Sequence, residues 1–159
     1  MVGRVITHRA FLGLGSNLGD REALLAGAVR GLPGLVAVSS LYETAPIGGP
    51  EQPSFLNLVA EVVTELGPFQ LLEAGRALER EADRVRIERW GPRTLDIDVL
   101  LYGELRLNDP VLSIPHPRMF ERRFVLEPLA EVGPELVTDP QLLAVADQEI
   151  ERLGPLELG

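Results

Sequence analysis

The chain has 159 residues, 45% hydrophobic and 25% charged, with a net charge of −9 and neither cysteine nor lysine. That suits one soluble globular domain with its own core, and no apolar run approaches the roughly 20 residues of a membrane span. Without cysteine or lysine there is no disulfide, thiolate nucleophile, P-loop lysine or Schiff base, and the acidic balance argues against nucleic acid as a partner.

Any phosphate must therefore be held by arginine, by backbone N–H groups or by metal. All 15 basic residues are arginines, and six of them fall between Arg76 and Arg93. A local basic patch on an acidic protein suits a small anion better than a polyanion. With only His8 and His116 present, a multi-histidine metal site within one chain is excluded.

In chain order, residues 1–8 read as a loose leader without an apolar signal region, so a cytoplasmic protein is expected. Ala10 to Leu14 reads as a buried strand. The turn Gly15-Ser16-Asn17-Leu18-Gly19-Asp20 follows, with Asp20 as a candidate N-cap. Its Gly-x-Gly-Ser-Asn lacks the third glycine of a dinucleotide fingerprint, and plain strand-to-helix turn chemistry explains it. Leu24, Leu25, Ala28, Val29 and Leu32 have helical spacing. Residues 35–42 are β-rich and predict a second strand. The proline- and glycine-rich stretch 43–53 predicts a long loop of the kind that carries function.

Residues 54–64 predict a third strand with clear alternation. Leu56, Leu58, Ala60 and Val62 share one face; Phe55, Asn57, Val59 and Glu61 share the other. Gly67-Pro68 opens a helix with Leu71, Gly75, Leu78 and Ala82 as its apolar stripe. Arg76, Glu79 and Arg80 read equally as a solvated helix face. Residues 83–93 predict a second long loop.

From Thr94 the pattern alternates again. Leu95, Ile97, Val99 and Leu101 point one way, Asp96 and Asp98 the other. Carboxylates two apart on a strand lie about 6.6 Å apart along it and can reach around shared divalent cations. In isolation such a pair also fits the wet face of an amphipathic strand. The preceding Arg86, Arg89 and Arg93, with the lone Trp90 among them, favour phosphoryl chemistry. A short hairpin around Asn108-Asp109-Pro110, a rigid Pro115-His116-Pro117, a helix over 119–130 disturbed by Pro128, and an outer helix over 140–153 complete the chain.

The order strand, helix, strand, strand, helix, strand predicts an α+β, ferredoxin-like fold, an antiparallel sheet with both helices on one face. The whole of 1–159 forms one domain in this reading, with 138–159 as a peripheral tail. The other face then gathers Phe55, Asn57, Asp96 and Asp98 on the open side of the sheet, under the two loops. Asn57 is there either a strand-edge polar group or a partner for a flat heterocycle, with Phe55 as the stacking ring. His116 either caps local backbone or donates a hydrogen bond to a phosphate.

Gly15-Ser16-Asn17-Leu18, Gln52-Pro53-x-Phe55-Leu56-Asn57, the block from Glu88 to Asp98, and Ile114-Pro115-His116 occur in this order at suitable intervals. Together they resemble the 6-hydroxymethyl-7,8-dihydropterin pyrophosphokinase family of folate synthesis, over about residues 10–137. The resemblance implies transfer of pyrophosphate from ATP to the pterin hydroxymethyl group with release of AMP. It also implies two Mg²⁺ ions and a ferredoxin-like fold with three flexible loops, and we expect a monomer.

Carried over residue by residue, the resemblance makes Asp96 and Asp98 the Mg²⁺ ligands and Arg84, Arg86 and Arg93 the phosphate-binding, loop-closing arginines. Thr44, Pro46, Ile47, Phe55, Asn57 and Phe124 match the pterin site. Glu79, Trp90, Arg93, Leu100, Leu112, Ser113, His116 and Arg122 match the nucleotide side. The chain departs from the family pattern at Phe55, usually Tyr, at Ala45, commonly Pro, at Val111, an arginine in some members, and at Arg76, a glutamine. A glycosyltransferase Asp-x-Asp is the rival enzyme reading, and the chain is short for that class. The rival without catalysis is a ferredoxin-like module that senses a nucleotide or other ligand.

Overall fold

A computed structural model of the chain describes residues 5–44, 54–88 and 95–158, and for 84–88 the helical backbone only. Strand β1 (His8–Ser16) is antiparallel to β4 (Phe55–Thr64), the centre of the sheet, on one side and to β5 (Asp96–Tyr102) on the other. Beyond β4 lie β2 (Leu35–Val38) and β3 (Ser40–Thr44), both paired to it, and β8 (Ile150–Pro155) pairs with β3 at the edge. The order β5-β1-β4-β3-β8 contains the four-strand sheet of the split βαβ pattern, so the ferredoxin-like expectation is met.

Helix α1 (Arg21–Gly31) begins where predicted: the Asp20 side chain accepts from the Ala23 N–H at 3.2 Å, satisfying one orphan donor of the first turn. It is followed by Gly34, at φ 79°, where a Cβ would sit 2.0 Å from the Val63 carbonyl oxygen; only glycine fits that turn. Helix α2 (Pro68–Glu88) starts at its proline. Both helices pack on one face of the sheet, where Leu12, Leu14, Leu56, Leu58, Ala60, Val62, Ile97 and Val99 meet Leu25, Val29 and Leu71. Each Leu, Ile or Val among them contributes about 1.5–3 kcal/mol of transfer free energy, so the alternation in β4 and β5 is the main determinant of which face goes inward.

Five expectations are corrected. The 35–42 run is two strands, because Ser39 turns inward: its hydroxyl accepts from Val59 N at 2.9 Å and donates to Ser40 O at 2.9 Å. The 83–93 loop starts later, since α2 continues to Glu88 and carries the backbone of Arg84 and Arg86. The predicted 119–130 helix is a 3₁₀ turn, Met119–Glu121, broken at the extended Arg122 from α3 (Arg123–Val132), which runs past Pro128. The predicted 140–153 helix is a short α4 (Asp139–Ala144) followed by β8; its carbonyls and N–H groups satisfy the edge of β3, which no helix could do.

The fifth correction concerns the second face of the sheet, which is only half open. Helix α3 covers Phe11, Val59 and Leu100 with Val125, Leu126 and Leu129, joined by Met119 of the 3₁₀ turn before it, a second core. A register shift between Phe11 and Leu12 leaves Leu100 as an extra residue in β5. Such a bulge reverses the alternation, so Leu101 joins this second core and not the first, as simple periodicity predicts. The hairpin appears, shorter than expected, as β6 (Leu107–Asn108) paired with β7 (Ser113–Ile114). Among the described residues no helix is long and apolar enough to cross a membrane.

Candidate active site

Where α3 stops, a cavity of about 640 Å³ opens over the uncovered half of the sheet. Its floor is β1, β4 and β5. Gly15 pairs with Asn57 on one side and Asp96 on the other; Gly13 pairs with Val59 and Asp98. Two glycines thus lie between the amide and the acids, and a Cβ on Gly15 would stand 2.8 Å from Asn57 Oδ1. Asn57 Nδ2 donates to the Thr44 hydroxyl of β3 at 3.1 Å, in a buried bond, which fixes the amide plane.

The cavity brings together half of the residues singled out from sequence, nine of eighteen. Thr44, Phe55, Asn57 and Phe124 line one part; Asp96, Asp98, Leu100, His116 and Arg122 line the other. The alternation argument therefore placed Phe55, Asn57, Asp96 and Asp98 correctly on one face. Arg21, the first residue of α1, donates to Glu43 at 3.0 Å and to the Ser54 carbonyl at 2.8 Å, tying the end of β3 to the start of β4 beside this site.

Three candidates sit elsewhere. Glu79 lies on α2 behind β5, where its carboxylate accepts from Ile97 N at 2.8 Å. Leu112 is buried in the helix-side core, and the Ser113 hydroxyl donates to the Asp109 carbonyl at 3.3 Å; neither lines the cavity. Pro46, Ile47, Trp90 and Arg93 lie outside the described residues, as do the side chains of Arg84 and Arg86.

Glu121, Gln148, Glu149 and Ile150 line the cavity, and sequence reading missed them. Glu121 lies in the 3₁₀ turn; the other three belong to the 138–159 segment, whose reading as peripheral gave no reason to look there. Its strand character, with Ile150 opposite Thr44, is the signal that would have found them. Gly13 lies in the expected strand, and Gly15, expected in the turn, belongs to β1 as well.

The electrostatics are those of crowded acids. Burial holds the Asp96 carboxyl above the usual range, and the charge of Asp98 raises it further. Glu79 is raised by burial first, against the hydrogen bond from Ile97, with Asp96 and Asp98 adding to the rise. Among the described residues no cluster of three or more carboxylates and histidines gathers for a metal. Two hard oxygen donors on one face nonetheless fit Mg²⁺, which takes one or two carboxylates and fills its other positions with water and phosphate.

His116 settles between its two readings. Its Nδ1 accepts from Arg118 N at 3.2 Å, so it does cap local backbone. Burial lowers its pKa against the pull of Asp98, with Arg122 and Arg118 lowering it too. A neutral imidazole accepting at Nδ1 carries its proton on Nε2, and His116 is among the residues that line the cavity.

A sequence model of the 7,8-dihydro-6-hydroxymethylpterin-pyrophosphokinase family matches residues 11–134. The chain belongs to that family. Among its relatives, the 2-amino-4-hydroxy-6-hydroxymethyldihydropteridine pyrophosphokinase of Bacillus subtilis is 47% identical over 155 residues, covering 94% of this chain and 92% of the relative. That of Pseudomonas aeruginosa is 49% identical over 157 residues, covering 92% and 97%. The pyrophosphokinase fold is also seen in a Plasmodium falciparum HPPK-DHPS crystal structure with pteroate, at TM-score 0.56 and 17% identity over 82% of this chain. The chain spans 39% of that longer protein, and the likeness supports the fold alone. As a pyrophosphokinase of this family the protein is a transferase of folate biosynthesis, with ATP and hydroxymethyldihydropterin as its substrates.

Proposed function

We propose that this cavity is where the protein transfers the β,γ-pyrophosphoryl group of ATP to the hydroxymethyl oxygen of 6-hydroxymethyl-7,8-dihydropterin. The oxygen attacks the β-phosphorus, the bond from that phosphorus to the oxygen bridging the α-phosphate breaks, and AMP leaves with the bridging oxygen. The hydroxyl proton passes to solvent. The observation that carries the reading is one cavity lined by Asp96, Asp98, Asn57, Phe55, His116 and Arg122.

Asp96 and Asp98 would hold Mg²⁺, two ions in the family pattern, which when bound supply positive charge to the phosphate oxygens. Asn57, held by Thr44, hydrogen-bonds the edge of the pterin, and Phe55 and Phe124 contact its faces. His116 Nε2–H and the Arg122 guanidinium meet phosphate oxygens. Arg84, Arg86 and Arg93 would bind the phosphates, Pro46 and Ile47 would belong to the pterin side and Trp90 to the nucleotide side. Leu100, Glu79, Leu112 and Ser113 support the nucleotide side. The rate comes mostly from positioning and electrostatics. The protein acts as a single domain and a cytoplasmic monomer without nucleic-acid partners. Nothing in the relatives favours a ligand-sensing module.

Incubation with ATP, Mg²⁺ and hydroxymethyldihydropterin, scoring AMP against ADP, tests the reaction. AMP with a pterin diphosphate is expected; ADP would overturn pyrophosphoryl transfer.

A further inference from the structure

Arg122 occupies a break in the chain. It is extended, at φ −123° and ψ 111°, between the 3₁₀ turn and α3, and its side chain makes no cap bond for the helix that follows. A helix start normally needs such a partner for its first N–H groups. Here the partner comes from the far end of the sequence. The Gln148 side chain accepts from Arg123 N at 2.8 Å and donates to the Glu121 carbonyl at 2.7 Å. One amide therefore holds the backbone immediately before and immediately after Arg122. Its orientation follows from the partners, since only a carbonyl oxygen can accept the N–H and only the NH₂ can donate to the carbonyl.

The grip is returned. Arg123 Nη1 donates to the Gln148 carbonyl at 2.7 Å and to the Ala146 carbonyl at 3.2 Å. The tail then enters β8 with Ile150 opposite Thr44. Between these fixed points the Arg122 guanidinium lies 5.5 Å from the centre of the Phe124 ring, and both side chains line the cavity together with Gln148. An extended residue between two short helical pieces has no ladder of its own to hold it, so its direction depends on the groups that clamp its neighbours.

We propose that Gln148 is a positioning residue for pyrophosphoryl transfer: by clamping Glu121 and Arg123 it aims Arg122 at the nucleotide. This rests on the reading of Arg122 as an ATP contact. A plain helix cap would stabilise α3 and nothing more. The positioning role differs from it in being coupled to Arg122 itself.

The test is a double-mutant cycle on the full chain, with steady-state KM for ATP, KM for the pterin, kcat and melting temperature measured for each protein. The variants are Gln148→Ala, Gln148→Met, Arg122→Ala and the Gln148→Ala/Arg122→Ala pair. Gln148→Met keeps the length of the side chain without its hydrogen bonds and carries the test if the alanine variant folds poorly. Both Gln148 variants should raise the ATP KM about tenfold, the size of a typical coupled pair. With Arg122 already alanine, Gln148→Ala should add less than about twofold. Equal costs in both backgrounds would reduce Gln148 to a structural cap and overturn the proposal. So would wild-type ATP KM in Gln148→Met, or loss of folding in both Gln148 variants. A wild-type ATP KM in Arg122→Ala would remove the ATP-contact reading, and the positioning role with it. A raised KM there, beside an unchanged one in the Gln148 variants, would overturn the positioning role alone.

Discussion

Gly15→Ala probes the floor of the cavity with one methyl group. An ideal Cβ at that position lies 2.8 Å from Asn57 Oδ1, whereas ordinary contact begins near 3.4 Å. The amide must therefore retreat by about 0.6 Å, the difference of those distances. It cannot retreat freely, because Nδ2 is bonded to Thr44 at 3.1 Å in a buried site. Overpacking of this kind costs about 1–3 kcal/mol, which for a chain of this size lowers the melting temperature by roughly 3–10 °C. A 1 Å misplacement of a positioning group can cost about a hundredfold in rate, so a retreat of this size should cost about tenfold in kcat/KM for the pterin. The ATP KM should stay within about twofold, since the acids and His116 lie across the floor from the amide. Gly13→Ala gives the contrast in stability: its Cβ would stand 3.5 Å from the Leu100 side chain, an ordinary contact, and the loss should be under about 1 kcal/mol. The assay is steady-state kinetics with each substrate varied in turn, beside thermal unfolding. A folded Gly15→Ala protein with an unchanged pterin KM would refute the reasoning, because Asn57 would then either not read the ring or not be held.

Asp98→Asn should lower turnover on the order of 10²-fold or more. In the absence of divalent cations it should also raise the melting temperature slightly, because burial holds Asp96 and Glu79 above their usual range and the variant removes the Asp98 charge that adds to that rise. Mg²⁺ should stabilise the wild type by mass action and leave the variant unmoved; an equal Mg²⁺ shift in both would count against these ligands. Glu131→Ala should cost about 1–3 kcal/mol in urea unfolding, since it strands Ser40 N, which donates to Glu131 at 3.0 Å, and the Tyr42 hydroxyl, which also donates to it; a loss below about 0.5 kcal/mol would refute that. Glu135 accepts from Arg9 at 2.6 Å, and that bond holds its carboxyl below the usual range. A lowered folded pKa means stability present above the unfolded value, about 4.3, and lost as pH falls through the folded one. Glu135→Gln should therefore be less stable than wild type at pH 7 and equal to it at the acid end; a difference independent of pH would refute the ion pair.

Much of the site was legible because alternation is a physical code. In β4 and β5 a residue's parity decides its face, so Asn57, Asp96 and Asp98 could be put on one surface without any structure. Parity failed at Leu101 because the extra residue at Leu100 leaves no mark in composition: Val99, Leu100, Leu101 and Tyr102 are all apolar or aromatic, and any phase fits them. It failed in the tail for a related reason. The run from Pro140 to Leu153 has enough apolar residues at helical spacing to suggest a helix, but the need that decided its structure lies in β3, a hundred residues upstream. An unsatisfied sheet edge is a property of the fold and cannot be read from the segment that satisfies it.

The second face of the sheet is part core and part site for a related reason. A sheet with both helices on one face must bury the other or leave it wet. α3 covers the half where β1, β4 and β5 present Phe11, Val59 and Leu100, and stops where they present Gly13, Gly15, Asn57, Asp96 and Asp98. Polar groups cannot go under an apolar helix without partners, so the sequence of these three strands alone fixes where the cover must end. The bulge at Leu100 sits on the second-core side of that boundary, two residues from Asp98, and puts Leu100 and Leu101 together on the α3 side. That anchors β5 immediately beside the acids. Anchoring of this kind is what a site needs when its own carboxylates repel one another.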